Sequence, residues 1–125
     1  YDYDHNAPTS EYLKHTHERM FKLVRKANHD LPIILLSRPK FTLTEDEEIR
    51  LGIIRTTYQN AIDSGDKNVY LIDGSTLFEG EYYTACTFDG CHPNDVGFMR
   101  MAEKIGPVIA KALGLKEETG HDLYL

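Results

Sequence analysis

Two short stretches of this chain combine residue types that could run acid–base chemistry at a carbonyl carbon. One is Asp4-His5-Asn6-Ala7-Pro8, and the other is Phe88-Asp89-Gly90-Cys91-His92-Pro93-Asn94-Asp95. Asp89 and His92 stand three positions apart across a glycine, a spacing that lets the carboxylate fold back onto one imidazole nitrogen while the other faces a cleft. A carboxylate on Nδ1 fixes the tautomer and stabilises the imidazolium that forms when Nε2 removes a proton from a hydroxyl nucleophile. Pro93 would stiffen the loop and start a helix. Asn6 offers a neutral N–H donor of the kind that stabilises the oxyanion of a tetrahedral ester intermediate. Plainer roles stand beside these: Asp89 and His92 as loop and cap residues, Asn6 as an Asx-turn before Pro8, and Asn94 and Asp95 as helix caps rather than catalysts.

Positioning such loops is the task of the elements around them. Tyr12, Leu13, Thr16, Met20, Leu23, Val24 and Ala27 share one face of a helix predicted over residues 9 to 29, with Pro8 and Thr9 as its start signal. Thr44 and Glu47 have the spacing of a capping box for a second helix over 45 to 63, whose inward face begins with Ile49, Ile53 and Thr56 and which stops at Ser64-Gly65. A third helix follows Asn94-Asp95, with Phe98, Met101, Ala102, Ile105, Ile109 and Ala112 in register, Pro107 as a kink or break and Gly114 as its end. Between them, Ile33 to Leu36 and Val69 to Ile72 are apolar without alternation, as parallel strands covered on both faces should be. The order α-β-α-β-α implies an open, doubly wound α/β sheet, in which reactive groups collect after the carboxyl ends of strands. Tyr1-Asp2-Tyr3-Asp4 stands where another strand should end. Two strands are also few for such a sheet, which commonly has about 5 or 6, so an N-terminally truncated domain is expected.

The run from Asp89 to Phe98, followed by an apolar helix, resembles the C-terminal block of SGNH (GDSL-type) hydrolases. The resemblance implies that Asp89 is the triad acid, His92 the base and Asn6 the oxyanion-hole donor. Many members read Gly-x-Asn-Asp around that last residue, where this chain has Asp4 and Ala7, so only Asn6 carries over. It further implies a flavodoxin-like three-layer α/β/α fold, of which residues 1–125 are the C-terminal part, and a serine esterase acting on acyl or acetyl esters, carbohydrate esters included. The family's early Gly-Asp-Ser block is not in the sequence. Ser10, Ser37, Ser64 and Ser75 are the serines present, and Asp73-Gly74-Ser75 has the wrong order and reads as a turn. The nucleophile is therefore expected upstream, and residues 1–125 alone should be nearly inactive.

Composition narrows the rest. A net charge of −6 argues against a surface for nucleic acid. The longest apolar run falls far short of the roughly 20 residues that span a bilayer. No targeting signal is legible, which leaves location open, a secreted or periplasmic one included. Cys86 and Cys91 lack a second ligand pair for zinc and are expected as free thiols, with a local bridge between them as the alternative; no metal and no cofactor are expected. His15 and His17 should face solvent, and His5, His29 and His121 have no ligand-like neighbours in sequence. Tyr82 and Tyr83 either line a substrate cleft or pack their loop. The rival readings are a non-catalytic flavodoxin-like module and a degenerate SGNH-like binding domain. A receiver would need an acidic cluster after its first strand and a nucleotide binder a Gly-rich phosphate loop, and neither is present. Sheet edges left open by truncation should favour association.

Overall fold

The computed structural model describes residues 3–115, so Tyr1, Asp2 and His121 lie outside the described residues. The elements follow the expected order: α1 (Ser10–Ala27), β1 (Ile33–Leu36), α2 (Glu45–Asp63), β2 (Val69–Ile72), two 3-10 turns (Gly74–Thr76 and Tyr83–Cys86) and α3 (Asp95–Ala112). The two strands pair in parallel, Ile33 with Val69 through Leu36 with Ile72, and α2 makes the crossover between them. This is an α/β fold built on a parallel sheet.

Local chemistry sets the helix ends. The Thr9 hydroxyl accepts from the Tyr12 N–H at the start of α1. At α2 the Thr44 hydroxyl accepts from the Glu47 N–H, and the Glu47 carboxylate accepts from the Thr44 N–H, so the capping box closes in both directions. Gly65 and Gly114 take positive φ after α2 and α3, and the reversed hydrogen bonds beyond each helix satisfy its last carbonyls. α3 runs through Pro107 to Ala112 rather than ending there.

The core sits between the sheet and the α1–α2 pair. Ile33, Leu35 and Val69 point from one face of the sheet onto Phe21, Ile54 and Ala61. On the opposite face Ile72 is buried, but Ile34, Leu36 and Tyr70 are only half-covered. The helix faces differ from those expected. α1 buries Leu13, His17 and Phe21, while Tyr12, Met20 and Leu23 are exposed. α2 buries Leu51, Ile54, Thr57 and Ala61 together with Glu47 and Arg50, whereas Ile49 and Thr56 face outward. In both helices the stripe that meets the sheet includes polar residues with partners inside the protein, which hydrophobicity alone does not rank as inward. α3 buries only Gly97, leaving Phe98 and Ile109 exposed on what was expected to be its core face.

His17 is the clearest reversal. It is 1% exposed, its Nδ1 lies 2.7 Å from the Thr57 hydroxyl, and its ring stacks on Tyr3. Burial pushes its pKa from 6.5 down to about 4, so the ring is neutral in the native protein at pH 7. The unfolded chain therefore takes up the proton first on acidification, and stability falls as pH drops from about 6.5 to about 4. The urea midpoint should decline across that window, and His17→Gln should flatten the decline; an equal slope in the variant would show that another group is responsible.

Candidate active site

The parallel pairing brings the carboxyl ends of β1 and β2 side by side, and a close backbone approach locks them there. A Cβ on Gly74 would lie 2.1 Å from the Arg38 carbonyl oxygen and 2.2 Å from that of Ser37, so no larger residue fits without moving the strand exits. The Gly74 N–H donates to the Ser37 hydroxyl at 2.7 Å. Arg38 thereby leaves the end of β1 at a fixed place, directed at both candidate loops.

The loop before α3 is closed by its own backbone. Thr87 and Pro93 form an antiparallel bridge, the Phe88 N–H donates to the His92 carbonyl at 2.9 Å, and Gly90 turns the chain with φ of +86°. Asn94 then pins the helix. Its side chain accepts from the Gly97 N–H and donates to the Ala85 carbonyl, and a Cβ on Gly97 would lie 2.1 Å from the Cys86 carbonyl oxygen. Asn94 is thus the N-cap and Asp95 the first residue of α3, as their plainer reading has it.

Within this loop Asp89 Oδ2 lies 2.5 Å from His92 Nδ1. Asp89 Oδ1 accepts from the backbone N–H of both Cys91 and His92. The His92 N–H, the His92 ring and the Cys91 N–H together hold the Asp89 carboxyl down to about 2, fully ionised at neutral pH. The His92 side chain is 76% exposed, and its Nε2 has no partner among the described residues. An imidazole tethered through Nδ1 by a carboxylate and open at Nε2 can accept a proton from a hydroxyl.

Asn6 sits in the exposed turn before α1, and among the described residues it makes no hydrogen bond to His92. Two buried supports hold its backbone. The Arg50 guanidinium donates to the carbonyls of Asp4 and, at 2.9 Å, Ala7, and the Arg38 N–H donates to Asp4 Oδ2 at 3.2 Å. The Arg38 side chain joins the two loops. Its Nη1 lies 2.7 Å from His5 Nδ1, and its Nη2 touches the Cys91 sulfur. His5 neighbours Asn6 and Cys91 neighbours His92, so one guanidinium bridges the two loops. Glu47 holds Arg38 from behind, with Oε1 at 3.1 Å, and also pairs with Lys40 at 2.8 Å. Burial raises the Glu47 carboxyl, but Lys40 and the Thr44 N–H more than reverse this and keep it ionised. His5 is lowered by burial and by the Arg38 charge.

Asp89, Cys91 and His92 place three potential ligand atoms within 4.8 Å of one another. Asp89 and His92 already bond each other, and the Arg38 cation lies against the sulfur, which opposes a second positive charge there. Cys86 and Cys91 are free thiols. The four serines are occupied elsewhere. Ser37 accepts from Gly74, Ser64 donates to the Asn60 carbonyl, Ser75 donates to Asp73, and Ser10 lies beside Asp46.

A family model described as GDSL-like lipase/acylhydrolase matches residues 5–110, which takes in both loops and every element between them. The chain belongs to the GDSL-like lipase/acylhydrolase family. Among solved structures it is similar to a protein from Bacteroides ovatus titled as a candidate GDSL-like lipase, with 25% identity and a TM-score of 0.73. That match covers 90% of this chain and 35% of the Bacteroides protein, so the chain spans about a third of its length. No curated protein matches.

Arg38, Glu47 and Arg50 were missed by reading the sequence for reactive groups. One signal pointed to Arg38: it lies two residues past β1, at the carboxyl end where such sheets gather functional groups. Glu47 was visible only as a helix cap, and Arg50 carried no signal that set it apart from the rest of its helix.

Carbon-detected NMR titration of the Asp89 carboxyl should place its midpoint near 2 rather than at the ordinary 3.8. In His92→Ala the midpoint should rise part of the way only, because the two backbone N–H donors remain. A full return to the ordinary value would mean that the loop geometry depends on the imidazole.

Proposed function

We propose that this chain contributes the acid, the base and one oxyanion donor of a serine ester hydrolase, with residues 1–125 forming the C-terminal part of a single catalytic domain. The observation that carries the reading is the tether of His92 Nδ1 to an ionised Asp89 with Nε2 left open. The nucleophilic serine lies outside this sequence, which is supported by the structural employment of all four serines present.

In this reading a serine Oγ attacks the ester carbonyl while His92 Nε2 takes its proton, and Asp89 holds the resulting imidazolium. The Asn6 amide donates a hydrogen bond to the oxyanion. His92 then returns the proton to the leaving alkoxide, which departs as an alcohol and leaves an acyl-enzyme. Water enters, His92 deprotonates it, and collapse of the second tetrahedral intermediate releases the acid and restores the serine. The substrates in this reading are acyl or acetyl esters, carbohydrate esters included.

In the full-length protein His92→Ala should lower kcat by about 10⁴ or more, and Asn6→Ala by about 10² to 10³. A fluorophosphonate probe should label the full-length protein on serine and leave residues 1–125 unlabelled. Turnover by residues 1–125 that depends on His92, or full-length activity that survives His92→Ala, would overturn the assignment.

A further inference from the structure

Arg38 stands between the two loops, and the acid–base reading gives its side chain no work. That side chain is 24% exposed, and its donors are used inside the protein. Nη1 donates to His5 Nδ1 at 2.7 Å and to Glu47 Oε1 at 3.1 Å, and Nη2 meets the Cys91 sulfur. The Arg38 backbone N–H donates to Asp4 Oδ2 at 3.2 Å. Both the backbone and the side chain of Arg38 thus hold the Asn6 turn, and one arm reaches the residue before His92. The other polar contacts of Asp4, His5, Asn6 and Ala7 go to Tyr3, Glu47 and Arg50, and among the described residues none reaches residues 87–94. The stacked rings of Phe41 and Tyr83, 3.9 Å apart, tie the chain after β1 to the turn before the Asp89 loop but involve no residue of the Asn6 turn. Hydrogen bonding between the oxyanion side and the base side therefore passes through Arg38.

An oxyanion donor and a general base must meet one carbonyl group at a fixed separation, and a displacement of about 1 Å can cost about 10²-fold in rate. We propose that Arg38 is a positioning residue of the hydrolase, which by bridging His5 to Cys91 sets where the Asn6 amide stands relative to His92 Nε2. This rests on the esterase reading and adds to it a residue needed for alignment alone. Glu47 neutralises the guanidinium from behind, which disfavours the competing role of binding a substrate carboxylate. Glu47 is itself fixed, since its carboxylate closes the cap of α2 and pairs with Lys40. The planar fork of arginine can reach His5 and Cys91 at once, whereas a lysine ammonium is a single point.

The test uses the full-length protein with 4-nitrophenyl acetate. Arg38→Ala should lower kcat about 10²-fold with KM nearly unchanged, and Arg38→Lys should not restore it. Cys91→Ala, which leaves Arg38 with His5 and Glu47, should lower kcat about tenfold. In an Asn6→Ala background the loss from Arg38→Ala should shrink below about tenfold, because no donor remains to be aligned. The Asp89 carboxyl should keep its midpoint near 2 in Arg38→Ala, since the groups that hold it down lie in its own loop. The Asn6 side-chain amide resonances should shift in Cys91→Ala, which reads the bridge without turnover. A raised KM with kcat intact, equal losses with and without Asn6, full activity in Arg38→Lys, or an Asp89 midpoint that returns to 3.8 would overturn the proposal. Activity that needs His92 but survives Arg38→Ala and Cys91→Ala would sink the Arg38 assignment and leave the esterase reading intact. A wild type that hydrolyses no ester would defeat that reading, and the Asn6 shift would then decide the bridge by itself.

Discussion

The reactive end of this molecule depends on the contact of Gly74 with the backbone of Ser37 and Arg38. Two parallel strands end at the same level, but their exits would diverge if a side chain stood between them. With only a hydrogen at Gly74, the exit of β2 packs directly on that of β1, and the Gly74 N–H finds the Ser37 hydroxyl. Arg38 therefore projects from a rigid base into the space between the Asn6 turn and the Asp89–His92 loop. Its guanidinium, planar and rich in donors, can serve His5, Glu47 and Cys91 together, which an ammonium on a flexible stem could not do with the same geometry.

Two buried charges at this end, Glu47 and Arg50, are each paired. Glu47 serves as helix cap, partner to Lys40 and support for Arg38. Arg50 is answered by Asp46 on its own helix and by two backbone carbonyls of the Asn6 turn. Such pairs add little net stability compared with an apolar core, but removal of one partner leaves an uncompensated charge. Their contribution is to orientation: they hold the two loops in place. Asp4 marks the cost, since its Oδ1 is buried with no hydrogen-bond partner among the described residues.

Apolar surface is distributed unevenly. The sheet face toward α1 and α2 is closed, while the other face, the Tyr12–Met20–Leu23 side of α1 and much of α3 remain accessible. The proposed domain organisation accounts for these faces as sites for the rest of the catalytic domain, and the Bacteroides relative, nearly three times the length of the matched region, has chain to spare for such cover. The strained backbone of Tyr82, a non-glycine residue at φ of 60°, costs about 1 kcal/mol and leads into the Tyr83–Cys86 turn.

The sequence by itself determined the order of elements, the bounds of α2 and both strands, the helix caps and the Asp89–His92 pairing. These rest on interactions between residues close in the chain, where spacing and side-chain type decide the outcome: Thr44 with Glu47, Asn94 with Gly97, Asp89 with His92. The tertiary structure alone decided which stripe of each helix faces inward, because His17, Glu47 and Arg50 become buried only when Thr57, Lys40 and the Asn6 turn arrive from distant positions to satisfy them. It also decided that Arg38 lies between the two reactive loops. Residues 5, 38, 47 and 91 meet only through parallel strand pairing and a glycine-wide gap, and nothing local in the chain encodes that meeting.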